Sequence, residues 1–271
     1  MKLSRYKAIL FDGDGVLWKS DLPLSGINPL FDFLSDTGIK WALLTNNNTR
    51  TVQDYINKLT KFGIPADQNS VFTSSSTTAD YLLERFGPET PLHVVGMDGL
   101  KQTLLDAGFP ITTGEEMPKN KVVAVVAGMD RQINHNKIKV AMRLILGGAA
   151  FIATNTDGSF PTPEGINPGT GMVIGALQAT SGVEPYVAGK PHPAIFTTAL
   201  KTLGFGPKDV LMVGDRLETD IIGASNLGIQ TAAVLTGVTS REEINRSQIE
   251  PDFIYEDIST LHQALIEVYK S

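Results

Sequence analysis

Four groups of polar residues stand where apolar runs end: Asp12 with Asp14, Thr45 with Asn46, Lys190, and Asp215 with Asp220. In an extended chain residues i and i+2 point the same way, so Asp12 and Asp14 face one opening, and Gly13 and Gly15 let the backbone turn and approach a ligand. Carboxylates that close repel one another, and a fold keeps them with a cation between them or with one of them protonated. Taken singly, each group has a plainer reading. An Asp-x-Asp-Gly after a strand makes a turn, Thr45 and Asn46 suit a turn, Lys190 suits a solvated surface, and Asp220 suits an N-cap for a helix over 221–227. Together their types fit one task, the transfer of a phosphoryl group.

A carboxylate can attack phosphorus and split one hard displacement into two easier ones. Mg²⁺ prefers hard oxygen ligands and is commonly held by one or two carboxylates plus substrate oxygen, which suits Asp12 and Asp215. The equatorial phosphoryl oxygens need fixed donors, and the Thr45 hydroxyl, the Asn46 region and the Lys190 ammonium can supply them. Asp14 would give a proton to the leaving alkoxide and then take one from water. Its neighbours must raise its pKa for that, since an unperturbed Asp titrates near 3.9.

The elements that position these groups alternate between strand and helix. Ala8–Phe11 reads as a buried strand, and Leu30, Phe33 and Leu34 mark a helix stopped at Thr37-Gly38. Trp41–Leu44 is a second strand, and Val52, Tyr55, Ile56, Leu59 and Phe62 form an amphipathic stripe closed by Gly63. This is the grammar of a parallel sheet with helices on its faces, and in such sheets ligands bind beyond the carboxyl ends of the strands. A strand at Val71–Thr73 and a helix around 79–86 follow, and Gly87–Pro91 punctuates the chain. A second series then runs through strands at 92–95, 122–127 and 150–154 and helices at 100–107 and 137–146. It reads as an inserted α/β domain, giving a core over 1–88 and 186–271 and an insert over 89–185. The main sheet is expected to resume at Tyr186–Ala188, with a helix at Pro193–Leu203 and a strand at Val210–Val213. The stretches Asn155–Glu164 and Gly165–Gly171 read as loops, the latter leading into a helix at 172–179.

Composition narrows the function classes. The 271 residues carry a formal net charge of −6, which offers no broad attraction for nucleic acid or anionic membrane, so neither is an expected partner. There is no cysteine, which removes disulfides, thiolate catalysis and cysteine-ligated zinc. None of the four histidines pairs at metal-site spacing; His93 falls in a strand of the insert. The basic stretch Met1–Lys7 precedes an apolar run too short for a signal peptide, and no apolar segment approaches the roughly 18 residues of a membrane span. A soluble cytoplasmic protein is expected.

Phe11-Asp12-Gly13-Asp14-Gly15-Val16-Leu17, Leu44-Thr45-Asn46-Asn47, Gly189-Lys190-Pro191 and Gly214-Asp215-Arg216-Leu217-Glu218-Thr219-Asp220-Ile221 resemble the four ordered motifs of haloacid-dehalogenase (HAD) superfamily phosphatases, in the type IIA, NagD-like branch with the pyridoxal-phosphate, phosphoglycolate and nitrophenyl phosphatases. The resemblance runs from Lys7 to about Leu261. It implies a Rossmann-like parallel-sheet core with a large inserted α/β cap of the C2 type. It implies Asp12 as nucleophile, Asp14 as acid/base, Thr45, Asn46 and Asn47 as the phosphate site, and Lys190 as a phosphate clamp. Mg²⁺ would sit on Asp12, the Asp14 carbonyl and Asp215, with Asp220 orienting Lys190 or a metal-bound water. One departure is Gly13, where the family usually has a bulkier apolar residue, and looser packing is expected there. Too little chain separates Leu17 from Asn46 for a helical cap, whereas 47–190 accommodates the α/β insert. As the resemblance implies, the cap closes over the site and its loop at 155–164 selects the substrate; Phe160 on that loop has two readings, a cover for an apolar leaving group or a side chain of the cap core.

The implied activity is Mg²⁺-dependent hydrolysis of a small-molecule phosphate monoester: a sugar phosphate, phosphoglycolate, a nucleotide or pyridoxal phosphate. A dehalogenase of this fold needs neither Asp14 nor a metal site. A non-catalytic phosphoester-binding protein and a phosphotransferase of the same fold use similar residues and stay as alternatives. Caps in this branch often mediate self-association, so a homodimer is consistent with the resemblance.

Overall fold

The computed structural model describes residues 3, 5–162 and 164–270. Met1, Lys2 and Ser4 of the basic amino-terminal stretch, and Pro163 of the 155–164 loop, lie outside the described residues. The chain forms two compact units: Met1–Thr45, Tyr55–Phe72 and Lys190–Ser271 make the first, and Asn46–Asp54 with Thr73–Gly189 the second.

A six-stranded sheet runs in the spatial order Phe253–Tyr255, Gln230–Val234, Val210–Gly214, Ala8–Phe11, Lys40–Thr45 and Val71–Thr73. Ala8–Phe11 is central and buried along its whole length, which is why it reads as an unbroken apolar run with no alternation. Phe11 pairs in parallel with Val213 on one side and Leu43 on the other. That register sends Asp12, Gly214 and Leu44 out together at the carboxyl edge, one residue short of Asp215 and Thr45. The helix Ile27–Thr37 ends where Gly38 adopts φ 70° and returns its N–H to Leu34 and Ser35. Pro193–Leu203 packs Ile195, Phe196 and Ala199 against Leu10, Leu44 and Met212, where each buried large side chain contributes about 1.5–3 kcal/mol. Among the described residues, no helix is long and apolar enough to cross a membrane.

The second unit is built on a five-stranded parallel sheet ordered Tyr186–Val187, Ala150–Ala153, Ala124–Ala127, Leu92–Val95 and Ile111–Thr112. It corrects two expectations. Tyr186–Val187 does not resume the main sheet but pairs with Ile152 and Ala153, and the Tyr186 ring stacks on Tyr81 with centroids 3.7 Å apart. The helix Ser74–Phe86 also belongs here, because Ala79 and Leu82 pack with Leu92, Leu104 and Ile152. The boundaries expected at 88/89 and 185/186 therefore fall at 72/73 and 189/190. Gly87 is the helix stop, with its N–H on Leu83, and not a domain linker. The two stretches read as loops form an antiparallel hairpin, Ser159–Thr162 with Gly165–Pro168, its strands disguised by proline and glycine.

The looser packing expected at Gly13 is absent. A Cβ there would collide with the Trp18 ring, so volume missing at position 13 is supplied from position 18. Trp18 is fully buried, stacks on Tyr55 at 5.9 Å, and is covered by the Lys58 ammonium 4.3 Å from its ring. Such a cation–π contact is worth about 0.5–2 kcal/mol, and Lys58 also donates to the Ser20 carbonyl at 2.6 Å.

His93 lies on Leu92–Val95 and is fully buried. Thr112 Oγ1 donates to the Leu92 carbonyl, so the 3.2 Å contact between His93 Nδ1 and Thr112 Oγ1 has the imidazole as donor. Burial pushes its pKa down to about 4, so the ring is neutral in the fold.

Two predictions follow from this packing. The unfolded chain binds a proton at His93 below pH 6.5 and the folded chain does not until about pH 4, so stability is lost as pH falls through that window, by up to roughly 3 kcal/mol. Urea melts from pH 7.5 to 4 should show this slope, and His93→Gln should flatten it. Gly13→Val should destabilise by about 1–3 kcal/mol, with part recovered in the double variant with Trp18→Leu.

Candidate active site

In the first unit the carboxyl edge of the sheet gathers four charged side chains. Lys190 is 2 % exposed, and its ammonium contacts Asp12 Oδ1 at 2.6 Å, Asp220 Oδ1 at 2.7 Å and the Leu44 carbonyl at 2.9 Å. The ammonium donates hydrogen bonds to Asp12 and the Leu44 carbonyl and is ion-paired with Asp220. Burial acts against the charge on Lys190, but the Asp12 and Asp220 carboxylates outweigh it and hold its pKa above the ordinary lysine value.

Asp215 follows Val210–Gly214 and is also buried. Its Oδ2 accepts from the Val238 N–H at 2.7 Å, while its Oδ1 has no hydrogen-bond partner among the described residues. Burial, then the charges of Asp12 and Asp220, push its pKa well above the carboxylate range. Asp220 is raised in the same direction, by burial first, with Lys190 opposing. Asp220 is not the N-cap of a helix over 221–227. It lies within a π-helical turn, Leu217–Ile221, and its Oδ2 reaches back to the N–H groups of Arg216 at 3.1 Å and Asp215 at 3.3 Å. Gly214 makes room for this reach, since a Cβ there would collide with Asp220.

Asp12, Asp215 and Asp220 each bring a carboxylate oxygen within 4.8 Å of the other two. Three carboxylates facing one ammonium leave an excess of negative charge in a buried place, and one oxygen of Asp215 is unsatisfied. Both features fit a hard divalent cation held by oxygen donors. Asp14 stands apart from the buried group: its side chain is exposed, on a turn in which the N–H groups of Val16, Leu17 and Trp18 return to the Gly13 carbonyl. Thr45 is buried at the last position of its strand, next to the carbonyl that Lys190 binds.

In the second unit, Asn46 donates its amide to both oxygens of Asp157, at 3.1 and 3.2 Å, so its side chain is engaged within that unit. Asn47 accepts the Thr49 N–H at 3.0 Å and the Thr49 hydroxyl at 2.7 Å, holding its own turn. Phe160 lies half-buried on the first hairpin strand.

Sequence reasoning assigned no role to Asn48 or to the turn Thr236–Thr239. Asn48 is fully buried; its Nδ2 reaches Asn155, Thr154 and Thr170, and its Oδ1 accepts the Met129 N–H at 2.9 Å. In the first unit Thr236 donates to the Gly15 carbonyl at 2.5 Å, and the Val238 and Thr239 N–H groups reach Asp215. Gly15 has φ 85°, and a Cβ on it would come within 2.5 Å of Asp215 Oδ2. The signal for Thr236–Thr239 was present: polar residues closing an apolar run, the rule that singled out Asp12 and Thr45.

Comparison with known proteins agrees with this geometry. The haloacid dehalogenase-like hydrolase family model matches residues 9–110, and the HAD-hydrolase-like model matches residues 187–261. The acid sugar phosphatase of Staphylococcus aureus is 35% identical over 268 residues, covering 99% of this chain and 100% of the relative. The p-nitrophenyl phosphatase from Archaeoglobus fulgidus superimposes with a TM-score of 0.90 at 33% identity, covering 96% of this chain and 100% of that one. The glycerol phosphate phosphatase of Mycobacterium tuberculosis, solved in complex with magnesium, gives 0.85 at 31% identity, covering 95% of this chain and 77% of that one. The protein belongs to the haloacid-dehalogenase superfamily of hydrolases, in its NagD-like, nitrophenyl-phosphatase branch.

Proposed function

We propose that the protein is a Mg²⁺-dependent phosphatase that hydrolyses small-molecule phosphate monoesters through an aspartyl-phosphate on Asp12. The observation that carries this reading is the Lys190 ammonium fixed between Asp12 and Asp220, beside an Asp215 oxygen that has no partner among the described residues.

With Asp12 Oδ1 tied to Lys190, its other oxygen attacks phosphorus; the new O–P bond forms as the ester O–P bond breaks. Asp14, exposed on the turn after Asp12, gives its proton to the leaving alkoxide and later removes one from the water that attacks the acyl phosphate. That second displacement releases inorganic phosphate and restores the Asp12 carboxylate. Thr45 and Lys190 donate to the phosphoryl oxygens as charge spreads over them. Asp12, Asp215 and the Asp14 carbonyl would hold Mg²⁺, with Asp220 keeping Lys190 in place. The ion's contribution is to neutralise phosphoryl charge and oppose the repulsion among the carboxylates. Asn46 and Asn47 enter through their main chain, since their side chains are engaged elsewhere. Sugar and polyol phosphates are the first substrates to test, because relatives named above act on them.

Release of phosphate from p-nitrophenyl phosphate should require Mg²⁺ and should vanish in Asp12→Asn with the fold intact by circular dichroism; full turnover in that variant ends the nucleophile assignment. Asp14→Asn should slow turnover by about 10²–10⁴-fold. Mg²⁺ at a hundred times its Kd should stabilise the wild type by about 2.7 kcal/mol in thermal melts, and markedly less in Asp215→Asn.

A further inference from the structure

Asn46 is the first residue of the second unit after Thr45, and Gly189 is the last before Lys190. Within that unit the two touch. A Cβ on Gly189 would lie 2.6 Å from Asn46 Oδ1 and 2.6 Å from the Thr154 carbonyl, which already accepts the Gly189 N–H at 2.7 Å. The Asn46 amide therefore rests on the Gly189 main chain by its oxygen end. Its nitrogen end is held by both oxygens of Asp157. A carboxylate only accepts, so it fixes which way round the amide sits; a neutral amide at 157 would bring a donor to face a donor.

Asp157 is itself held. Asn155 Nδ2 donates to its Oδ2 at 2.8 Å, and the Gly171 N–H donates to its carbonyl at 2.8 Å. The Asn46 carbonyl accepts from Ser74 at 2.8 Å. Asp157 also sits two residues before the hairpin strand that carries Phe160.

From this arrangement we infer that Asp157 is a positioning residue for phosphoryl binding: by locking Asn46 against Gly189, it keeps in register the two chain passages that present Thr45 and Lys190. The inference rests on the reading of Thr45 and Lys190 as phosphoryl ligands given above. It predicts an effect of Asp157 on phosphate binding that does not depend on the leaving group.

The test uses the full-length wild type, Asp157→Ala and Asp157→Asn. Their kcat and KM are measured with p-nitrophenyl phosphate and with a hexose 6-phosphate, inorganic phosphate binding is measured by calorimetry, and melting temperature reports the fold. Loss of hydrogen bonds to a charged acceptor should lower kcat/KM by about tenfold or more in Asp157→Ala, by the same factor for both substrates. Phosphate binding should weaken in step, and Asp157→Asn should fall between wild type and Asp157→Ala. A loss confined to one leaving group, or phosphate binding as tight as in the wild type, overturns the inference while leaving the phosphatase reading intact. A wild type that neither hydrolyses these esters nor binds phosphate overturns both. Should Asp157→Ala not fold, Asn155→Ala removes one of the donors that hold Asp157 and is judged by the same two measurements, with a smaller loss expected.

Discussion

Lys190 is a cation removed from water, and such a charge is tolerated only where negative partners surround it. Asp12, Asp220 and the Leu44 carbonyl do so at 2.6, 2.7 and 2.9 Å. Deleting one partner of a buried pair costs about 3–5 kcal/mol, because the other is left uncompensated. The sheet supplies the partners from different strand ends: Ala8–Phe11 delivers Asp12, Lys40–Thr45 the carbonyl, and Val210–Gly214 with the π-helical turn delivers Asp220. Asp215 adds a third buried carboxyl group beside the ammonium, so the place offers oxygen donors that could hold a cation next to a fixed positive charge, the combination that the proposed phosphoryl transfer would use.

Close approach around these charges depends on residues without side chains. Gly214 admits Asp220, Gly15 admits Asp215, and Gly189 admits Asn46. Backbone thereby comes close to the Asp215 and Asp220 carboxyl groups in the first unit and, separately, to the Asn46 amide in the second. The same economy of volume appears behind the Asp12 turn, where Trp18 occupies the space over Gly13.

Much of this was legible from residue order. Unbroken apolar runs ending in Asp, Thr-Asn or Gly-Asp mark parallel strands and their reactive ends, because a strand buried on both faces cannot alternate and its polar residues are pushed past its tip. What stayed hidden depended on packing between distant segments. Tyr186–Val187 is two residues long, and its allegiance is set by Ile152, Ala153 and the Tyr81 ring, none of them near in sequence. Gly87–Pro91 had the composition of a linker, yet the helix before it belongs with Leu92 and Leu104 through Ala79 and Leu82. Asn48 looked like one more turn residue in a polar run, and its burial among Thr154, Asn155 and Thr170 follows from the second unit folding around it.

The central position of Ala8–Phe11 has a bearing on how the chain matures. One of its neighbours, Lys40–Thr45, is made early, but the other, Val210–Gly214, lies beyond the whole of the second unit in sequence. During vectorial synthesis the continuous segment Thr73–Gly189 can condense as a unit while the first strand still has one edge unpaired. More than two hundred residues separate Asp12 from Asp215 and Asp220, so these carboxyl groups can meet only after the second unit has been made. A nascent chain therefore carries Asp12 long before Lys190 and Asp220, the partners that hold it, and the charged cluster closes late in synthesis.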